Sequence, residues 1–437
     1  MDKATAPQTA FARLVSVAAR VEPREMAAVV SGFFLFFFVL GSSFAVRPVR
    51  ETIGTTLGSA YVADLWLYTA IFSIAIVPIY SWLVGKVARK ILLPCIYGAV
   101  AVVLVATGVS LSGDEVNRTV GAFFYVWISV LNLMLVSVFW SFLLEMFTRE
   151  QTKRLFGLIA AGGTLGALVG PFITSMLVKT LGESGILYLA AGGFLCAIVC
   201  QRILLTLWQP DAAAAADNDG KGRGLGGNPF AGITIVLKSP YLLGIALFVV
   251  LLSAANTILY FEQLRIVAEN YPDRAARTEV FANIDFIVQS LTLVSQLFLT
   301  GRIATKLGVK SLLTLVPLIM VLGLLVLAAA NVFVVFAVVF IARRWGEYAF
   351  IRPGREMLFS SLSTETKYKA KSFIDVPVYR AADYVGAQAK AAIDAVTASP
   401  TASLLVGAGL AAGWAAVGWW LGRKHDAGDK ADTAAAQ

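Results

Sequence analysis

An all-α polytopic membrane protein is what the sequence predicts: twelve transmembrane helices in two six-helix bundles, with both termini cytoplasmic. Three observations carry this. Hydrophobic residues make up 58% of the 437, against about 45–50% for an ordinary soluble domain, and mean hydropathy is +0.77. The apolar residues fall in runs close to the roughly 20 residues that cross a bilayer as a helix, unlike the short alternating segments of a membrane β-barrel. Lys and Arg gather in alternate short connections, as the positive-inside rule requires.

Residues 1–26 form a cytoplasmic N-terminal segment without the pattern of a cleaved signal peptide. Within it, residues 10–22 (Phe11, Leu14, Val15 and Val17 with Arg13 and Arg20) read as an interfacial helix or a frayed tail. The first bundle, 27–208, holds spans at 27–46, 62–84, 91–111, 119–144, 156–178 and 185–208. Residues 209–240 are a cytoplasmic linker, rich in Ala and then Gly. The second bundle, 241–421, holds spans at 241–261, 279–300, 311–330, 332–350, 372–397 and 403–421, and a tail covers 422–437. With the termini inside, the inner segments collect most of the cations. Examples are Lys86, Arg89 and Lys90 after the second span, Arg302, Lys306 and Lys310 after the eighth, and Arg343, Arg344, Arg352 and Arg355 after the tenth.

The two halves repeat each other. Gly85-Lys86-Val87-Ala88-Arg89-Lys90 follows the second span and Gly301-Arg302-Ile303-Ala304-Thr305-Lys306 the eighth. Glu145-Met146-Phe147 after the fourth span corresponds to Glu356-Met357-Leu358-Phe359 after the tenth. Arg-Pro-x-Arg-Glu also occurs twice, as Arg47-Pro48-Val49-Arg50-Glu51 after the first span and Arg352-Pro353-Gly354-Arg355-Glu356 after the tenth. A six-plus-six parallel repeat is the layout of rocker-type secondary transporters.

These features resemble the major facilitator superfamily. The Gly85 and Gly301 loops are similar to its loop motif after helices two and eight. Gly166-Ala167-Leu168-Val169-Gly170-Pro171 resembles its antiporter-associated motif, or is plain small-xxx-small packing through Gly162, Gly166 and Gly170. A narrower resemblance rests on Arg47-Pro48-x-Arg50-Glu51, Phe139-Trp140, Lys153-Arg154-Leu155-Phe156-Gly157 and Lys367-Tyr368-Lys369-Ala370-Lys371 with Ile374-Asp375. By these the chain resembles a distant bacterial branch of the ATP/ADP translocase family, which implies exchange of an anionic solute. The nucleotide exchangers carry a lysine early in the second span, where this chain has Asp64, and a glutamate in the fourth, where it has Ser129 and Asn132. Those charges accompany nucleotide transport, so the substrate stays unassigned.

Charge inside the spans marks the candidate sites. The eleventh carries Asp375, Arg380, Asp383, Lys390 and Asp394. At the bilayer centre each costs about 2.5–3.5 kcal/mol against lipid, so the helix must face protein or water. Arg380, Asp383, Ala387, Lys390 and Asp394 fall on one stripe. Either the stripe lines a cavity where Arg380 and Lys390 meet an anion, or its pairs neutralise each other and lock helices. Asp285 in the eighth span binds a proton or cation, or has a capping or packing role near the outer surface. Asn132 and Asn256 bond substrate or a neighbouring helix.

In each Arg-Pro-x-Arg-Glu copy, proline is expected to stop the helix beside two guanidinium forks that suit carboxylate or phosphate. One reading has Arg47, Arg50 and Glu51 exchanging partners at an outer gate, and Arg352, Arg355 and Glu356 at an inner one with Glu145 and Lys153. The other has them as static helix-end salt bridges.

Several classes drop out. The single histidine, His425 in the tail, leaves no His-based acid–base site. Cys95, Cys196 and Cys200 lie in apolar spans and show neither disulfide nor zinc spacing. The net charge of +9 is spread over loops, which does not fit nucleic acid. Gly220-Lys221-Gly222-Arg223-Gly224 lacks the phosphate-loop ending. No enzyme constellation, metal or cofactor is called for. The sequence therefore points to a secondary transporter working by alternating access on a small polar, anionic solute, by exchange or with a coupling ion. A proton-coupled exporter of an amphipathic metabolite, with Phe33, Phe34, Phe36 and Phe37 along an apolar path, is the alternative. A non-transporting scaffold or sensor is the alternative of another class. The expected setting is the bacterial inner membrane, as a monomer.

Overall fold

The computed structural model describes residues 21–113, 116–208, 231–360, 362–397 and 399–435, and their regular structure is helical. In chain order the helices are α1 Met26–Leu57, α2 Ser59–Lys86, α3 Arg89–Ser110, α4 Arg118–Met146, α5 Arg149–Leu207, α6 Ala231–Lys238 and α7 Pro240–Asn270. They continue with α8 Arg274–Phe298, α9 Thr300–Ala329, α10 Phe333–Gly346, α11 Arg352–Leu358, α12 Thr364–Phe373, α13 Tyr379–Thr397 and α14 Pro400–Ala435. π-helical turns at Glu347–Ile351 and Ile374–Val378 join α10 to α11 and α12 to α13. Among the described residues nine helices are long and apolar enough to cross a membrane. α10 is too short to count by itself, and α13 is 19 residues long with four charged side chains.

Two places bend where only glycine is at ease. Gly182 at φ 68° divides α5 into the two spans expected there, and Gly308 at φ 79° bends α9. Asp426 seals the second bend by accepting from the backbone N–H groups of Val309 and Lys310, which face outward at a new helix start. α5 opens with a capping box, Thr148 and Gln151 bonding each other's backbone N–H.

The chain forms two compact units. The first comprises residues 1–47, 79–114 and 131–226. Its core rests on close approach of α1 and α5. A Cβ on Gly162, Gly166 or Gly170 would run into the carbonyls of Phe33, Phe37 and Gly41, so the stripe packs backbone against backbone, the plainer of its two readings. Phe36 stacks on Phe139 with ring centroids 4.0 Å apart. The second unit comprises residues 48–78, 115–130 and 227–437. Its large apolar core is built from α7 to α14, including Phe248, Phe336 and Trp414. A smaller cluster gathers Val62, Leu65, Tyr125, Phe261 and Leu264.

Several expectations need correction. Pro48 does not stop the first helix: α1 runs on to Leu57 with the whole first Arg-Pro-x-Arg-Glu copy inside it. Proline is tolerated in such a helix when neighbouring groups satisfy the freed backbone. Pro353 likewise leaves the chain helical: it lies just after the π turn, and the carbonyl of Ala349, four residues before it, accepts from Thr300 Oγ1 instead. Residues 231–238 of the expected linker form α6, while 209–230, with the Gly-Lys-Gly segment, lie outside the described residues. The interfacial helix expected at 10–22 also falls almost wholly outside them. The segment expected as a tail from 422 is helical as far as Ala435. Within it α14 buries His425, whose ring lies 3.3 Å from Ser360 Oγ.

Candidate functional site

The second unit holds most of the chain's buried charge. Its centre is Glu347, on the π turn that follows α10. Widening the helix by one residue re-aims side chains locally, and Glu347 gathers three partners. Its carboxylate accepts from Arg343 at 3.3 Å, from Arg352 at 3.2 Å and from Asn256 Nδ2 on α7 at 3.4 Å. One position before Arg344's own neighbourhood of aromatic rings, Arg343 lies over Phe340. Arg344 pairs with Asp285 of α8 and is only 4% exposed. On α13, Asp383 accepts from Ser253 of α7 at 2.5 Å and faces Arg380 at 3.5 Å. Four guanidinium groups thus face three carboxylates. Among the described residues, Nε of Arg343 and both Nε and Nη2 of Arg344 meet no acceptor. Unmatched cationic donors of this kind are costly and suit an added carboxylate or phosphate.

The stripe on α13 lies along α7, and its two ends differ. At the Arg380 end the side chains are half-buried. At the Lys390 end the ammonium is 5% exposed and sits between Glu262 at 3.0 Å and Asp394 at 2.5 Å. Glu262 is also held by Arg265, which reaches on to Glu269, and Asp394 accepts from Ser403. Lys390 is fully engaged in joining α13 to α7.

A third network surrounds the first Arg-Pro-x-Arg-Glu copy. Arg50 donates to Glu51 at 2.6 Å and to Ser129 at 3.0 Å, and its guanidinium lies 5.0 Å over the Tyr125 ring. Tyr260 of α7 donates to the other Glu51 oxygen at 2.8 Å. Tyr125 and Tyr260 share a 2.6 Å hydroxyl contact, and Trp66 donates to Tyr125. Nearby, Thr52 meets Thr278 at 2.7 Å and Arg277 donates to Thr55. α1, α2 and α4 are here joined to α7 and α8 by polar bonds over a small apolar cluster.

Of the remaining expected residues, Arg355 meets Asp375 at 3.3 Å and Glu356 meets Lys371 at 2.6 Å. Arg47 and Asn132 belong to the first unit, and Asn132 is exposed. Glu145 has Arg89 as its partner. Lys153 is exposed, and its neighbour Arg154 instead pairs with buried Glu25. Asp285 is no cap near a surface, since it lies in the interior against Arg344. Arg343 and Arg344, assigned above to a cytoplasmic loop, are buried in α10.

Glu347, Arg343, Arg344, Glu262, Arg265, Tyr125 and Tyr260 were not singled out from sequence. Glu262, Arg265 and Glu269 do carry a signal, the i, i+3, i+7 spacing of a self-neutralising helical face. Arg343-Arg344-x-x-Glu347 carries another, an i,i+4 pair at the end of an apolar run.

The family model described as Major Facilitator Superfamily matches residues 26–341. A curated relative, ADP,ATP carrier protein 1 of Chlamydia trachomatis, is 25% identical over 299 residues, 59% of this chain and 56% of its own length. The match thus spans little more than half of that relative. Among solved structures, the nucleoside transporter NupG superposes with a TM-score of 0.63 at 14% identity, covering 92% of this chain and 99% of that one. A bacterial homologue of the human lysosomal transporter Spinster, described as inward-facing and unoccupied, gives 0.58 at 12% identity, covering 92% and 98%. At these identities the structural likeness shows the fold.

Proposed function

The chain belongs to the major facilitator superfamily, and from that premise we propose that it is a secondary transporter moving a small polar anion by alternating access. Its solute and the surrounding lipid are its partners, and it is a multi-pass membrane protein. The observation that carries the anionic reading is the guanidinium surplus around Glu347. Arg343, Arg344, Arg352 and Arg380 outnumber Asp285, Glu347 and Asp383, and several of their N–H groups lack acceptors. An anion entering at half-buried Arg380 would complete the set. The curated relative's name, an ADP,ATP carrier, supports exchange of anions as the mode. Asp64 is exposed and Ser129 serves Arg50, so neither supplies the charge that accompanies nucleotide transport.

In this reading the chain crosses the bacterial inner membrane twelve times with both termini in the cytoplasm, the bent α5 counting as two spans. Arg50, Glu51 and Tyr260 act in this reading as the latch of the outer mouth. Opening it requires Glu51 to leave Tyr260.

Counterflow in proteoliposomes tests the proposal. Vesicles are preloaded in turn with nucleotides, organic phosphates, dicarboxylates or amino acids, and entry of the labelled solute is followed. Uptake is expected with at least one anion and is expected to fall at least tenfold in Arg380→Ala. Uptake only of cations or of uncharged amphipathic compounds would sink the anionic reading and favour an exporter.

A further inference from the structure

A groove outside the charged cluster has its own chemistry. Leu243, Gly244 and Leu247 lie on one face of α7, and Ala416 and Trp420 on one face of α14, at the i, i+3, i+4 spacings that share a helical side. Between them is an apolar groove of about 450 Å³. Gly244 creates it. A Cβ there would stand 2.5 Å from the Trp420 ring, so only glycine lets the indole lie against the α7 backbone. Leu243, Leu247 and Trp420 are 40–47% exposed, and the groove therefore opens away from the core.

One end of the groove is cationic. Immediately after Trp420 and Leu421 the chain reads Gly422-Arg423-Lys424. Lys424 Nζ stands 5.4 Å from the Trp420 ring and 5.7 Å from the Tyr241 ring, and Arg423 lies 5.3 Å over Trp419. Tyr241 is fixed by its hydroxyl, which donates to the Leu358 carbonyl. Both cations are exposed, and among the described residues neither has a carboxylate partner. The next acid, Asp426, is committed to the backbone of Val309 and Lys310. Lys238, also exposed, ends α6 two residues before α7 begins.

We propose that this groove binds an anionic phospholipid, with an acyl chain along Gly244 and Ala416 and the phosphate at Lys424 and Arg423. The apolar walls offer a free polar anion nothing beyond the mouth, whereas a lipid fills both parts. Trp and Tyr beside Lys and Arg at a helix end are the groups that settle at headgroup depth, and exposed cations there favour acidic headgroups. This inference does not rest on the transport reading.

The test uses the full chain purified in detergent, with thermal unfolding and native mass spectrometry as readouts. Phosphatidylglycerol is expected to raise the Tm by several degrees and to remain bound, phosphatidylcholine to do neither. The double variant R423Q/K424Q should retain phosphatidylglycerol at least fivefold less while keeping the lipid-free Tm, because both side chains are exposed. Ala416→Leu, which fills the groove from its exposed side, should lower retention as well. Equal effects of the two lipids would overturn the proposal, as would phosphatidylglycerol retention unchanged in R423Q/K424Q. A Tm rise of the same size with glycerol 3-phosphate alone would show a site for soluble anions and overturn it too.

Discussion

The two Arg-Pro-x-Arg-Glu copies are the same five-residue pattern placed in different physical settings. In the first copy the carboxylate of Glu51 is buried and bonded by its neighbour Arg50 and by Tyr260, a residue 209 positions later. Ser129, Tyr125 and Trp66 in that network are uncharged side chains making one or two hydrogen bonds. In the second copy the arginines bind acids within 20 residues of themselves, Arg352 to Glu347 and Arg355 to Asp375, and the nearby carboxylate hub is crowded by several guanidinium groups. One copy is held by contacts that a rigid-body movement can break one at a time. The other is held by charge pairs closer in the chain, Arg352–Glu347 along one helical stretch and Arg355–Asp375 across the connection from α11 to α12. The motif alone therefore does not make a gate. In the gating proposal, the distance along the chain to its partners does.

The largest effect should come from breaking the second copy's charge cluster at its hub. Glu347→Ala leaves Arg343 and Arg352 facing each other without a counter-charge, and removing one partner of a buried pair costs about 3–5 kcal/mol. Thermal unfolding in detergent is expected to show a large loss of Tm or failure to recover folded protein. A variant as stable as the parent would mean that water reaches the cluster and that the arginines are not held by Glu347.

The next effect sharpens the contrast on the other side. Tyr260→Phe removes the charge-assisted hydrogen bond to Glu51, worth about 1.5–3 kcal/mol, together with the hydroxyl contact to Tyr125, and leaves the helix intact. Under the proposed gating role, in which α1 and α7 part at the outer mouth, the loss should appear as a population shift of about tenfold or more and not as unfolding. A cysteine placed at Thr278, fully buried against Thr52, should react faster with an impermeant thiol reagent added from outside. An unchanged labelling rate with a lowered Tm would make the network a static brace.

How much of this could be read from the chain depends on the range of the interactions. The long helices follow from apolar runs, and the α13 stripe from its spacing, because both are properties of one segment. The Lys390–Asp394 pair was visible for the same reason, being i,i+4. Glu262 was missed because a hydropathy reading ends the seventh span at the first acid, although Arg265 and Glu269 neutralise it and α7 runs on to Asn270. Arg343 and Arg344 looked like loop cations since two adjacent arginines usually are. What buries them is Asp285, 59 positions earlier, and a π turn, neither of which leaves a local trace. The helix-breaking role expected of Pro48 failed because in a long apolar helix the alternative, an open backbone, is worse than the kink.

A smaller effect tests the geometry of the first copy. Arg50→Lys keeps the charge near Glu51 but loses the fork that spans Glu51 and Ser129 at once. The expected cost is that of one hydrogen bond, about 0.5–1.5 kcal/mol, read as a two- to tenfold increase in outside labelling at the same Thr278→Cys reporter. A change as large as that of Tyr260→Phe would place the main strength of the latch in Arg50 itself.

The smallest effect belongs to the rim of the second copy. Lys371 and Glu356 form a 2.6 Å pair, but both side chains are substantially solvated, 30% and 49% exposed, and exposed pairs contribute about 0–1 kcal/mol. Lys371→Ala should therefore leave unfolding within about 1 kcal/mol of the parent, and counterflow unchanged if the second copy moves as a block. Counterflow lost at unchanged stability would require the Glu356–Lys371 pair to break and re-form during the cycle. The second copy would then be a gate of the same kind as the first, with the Glu356–Lys371 pair as its latch.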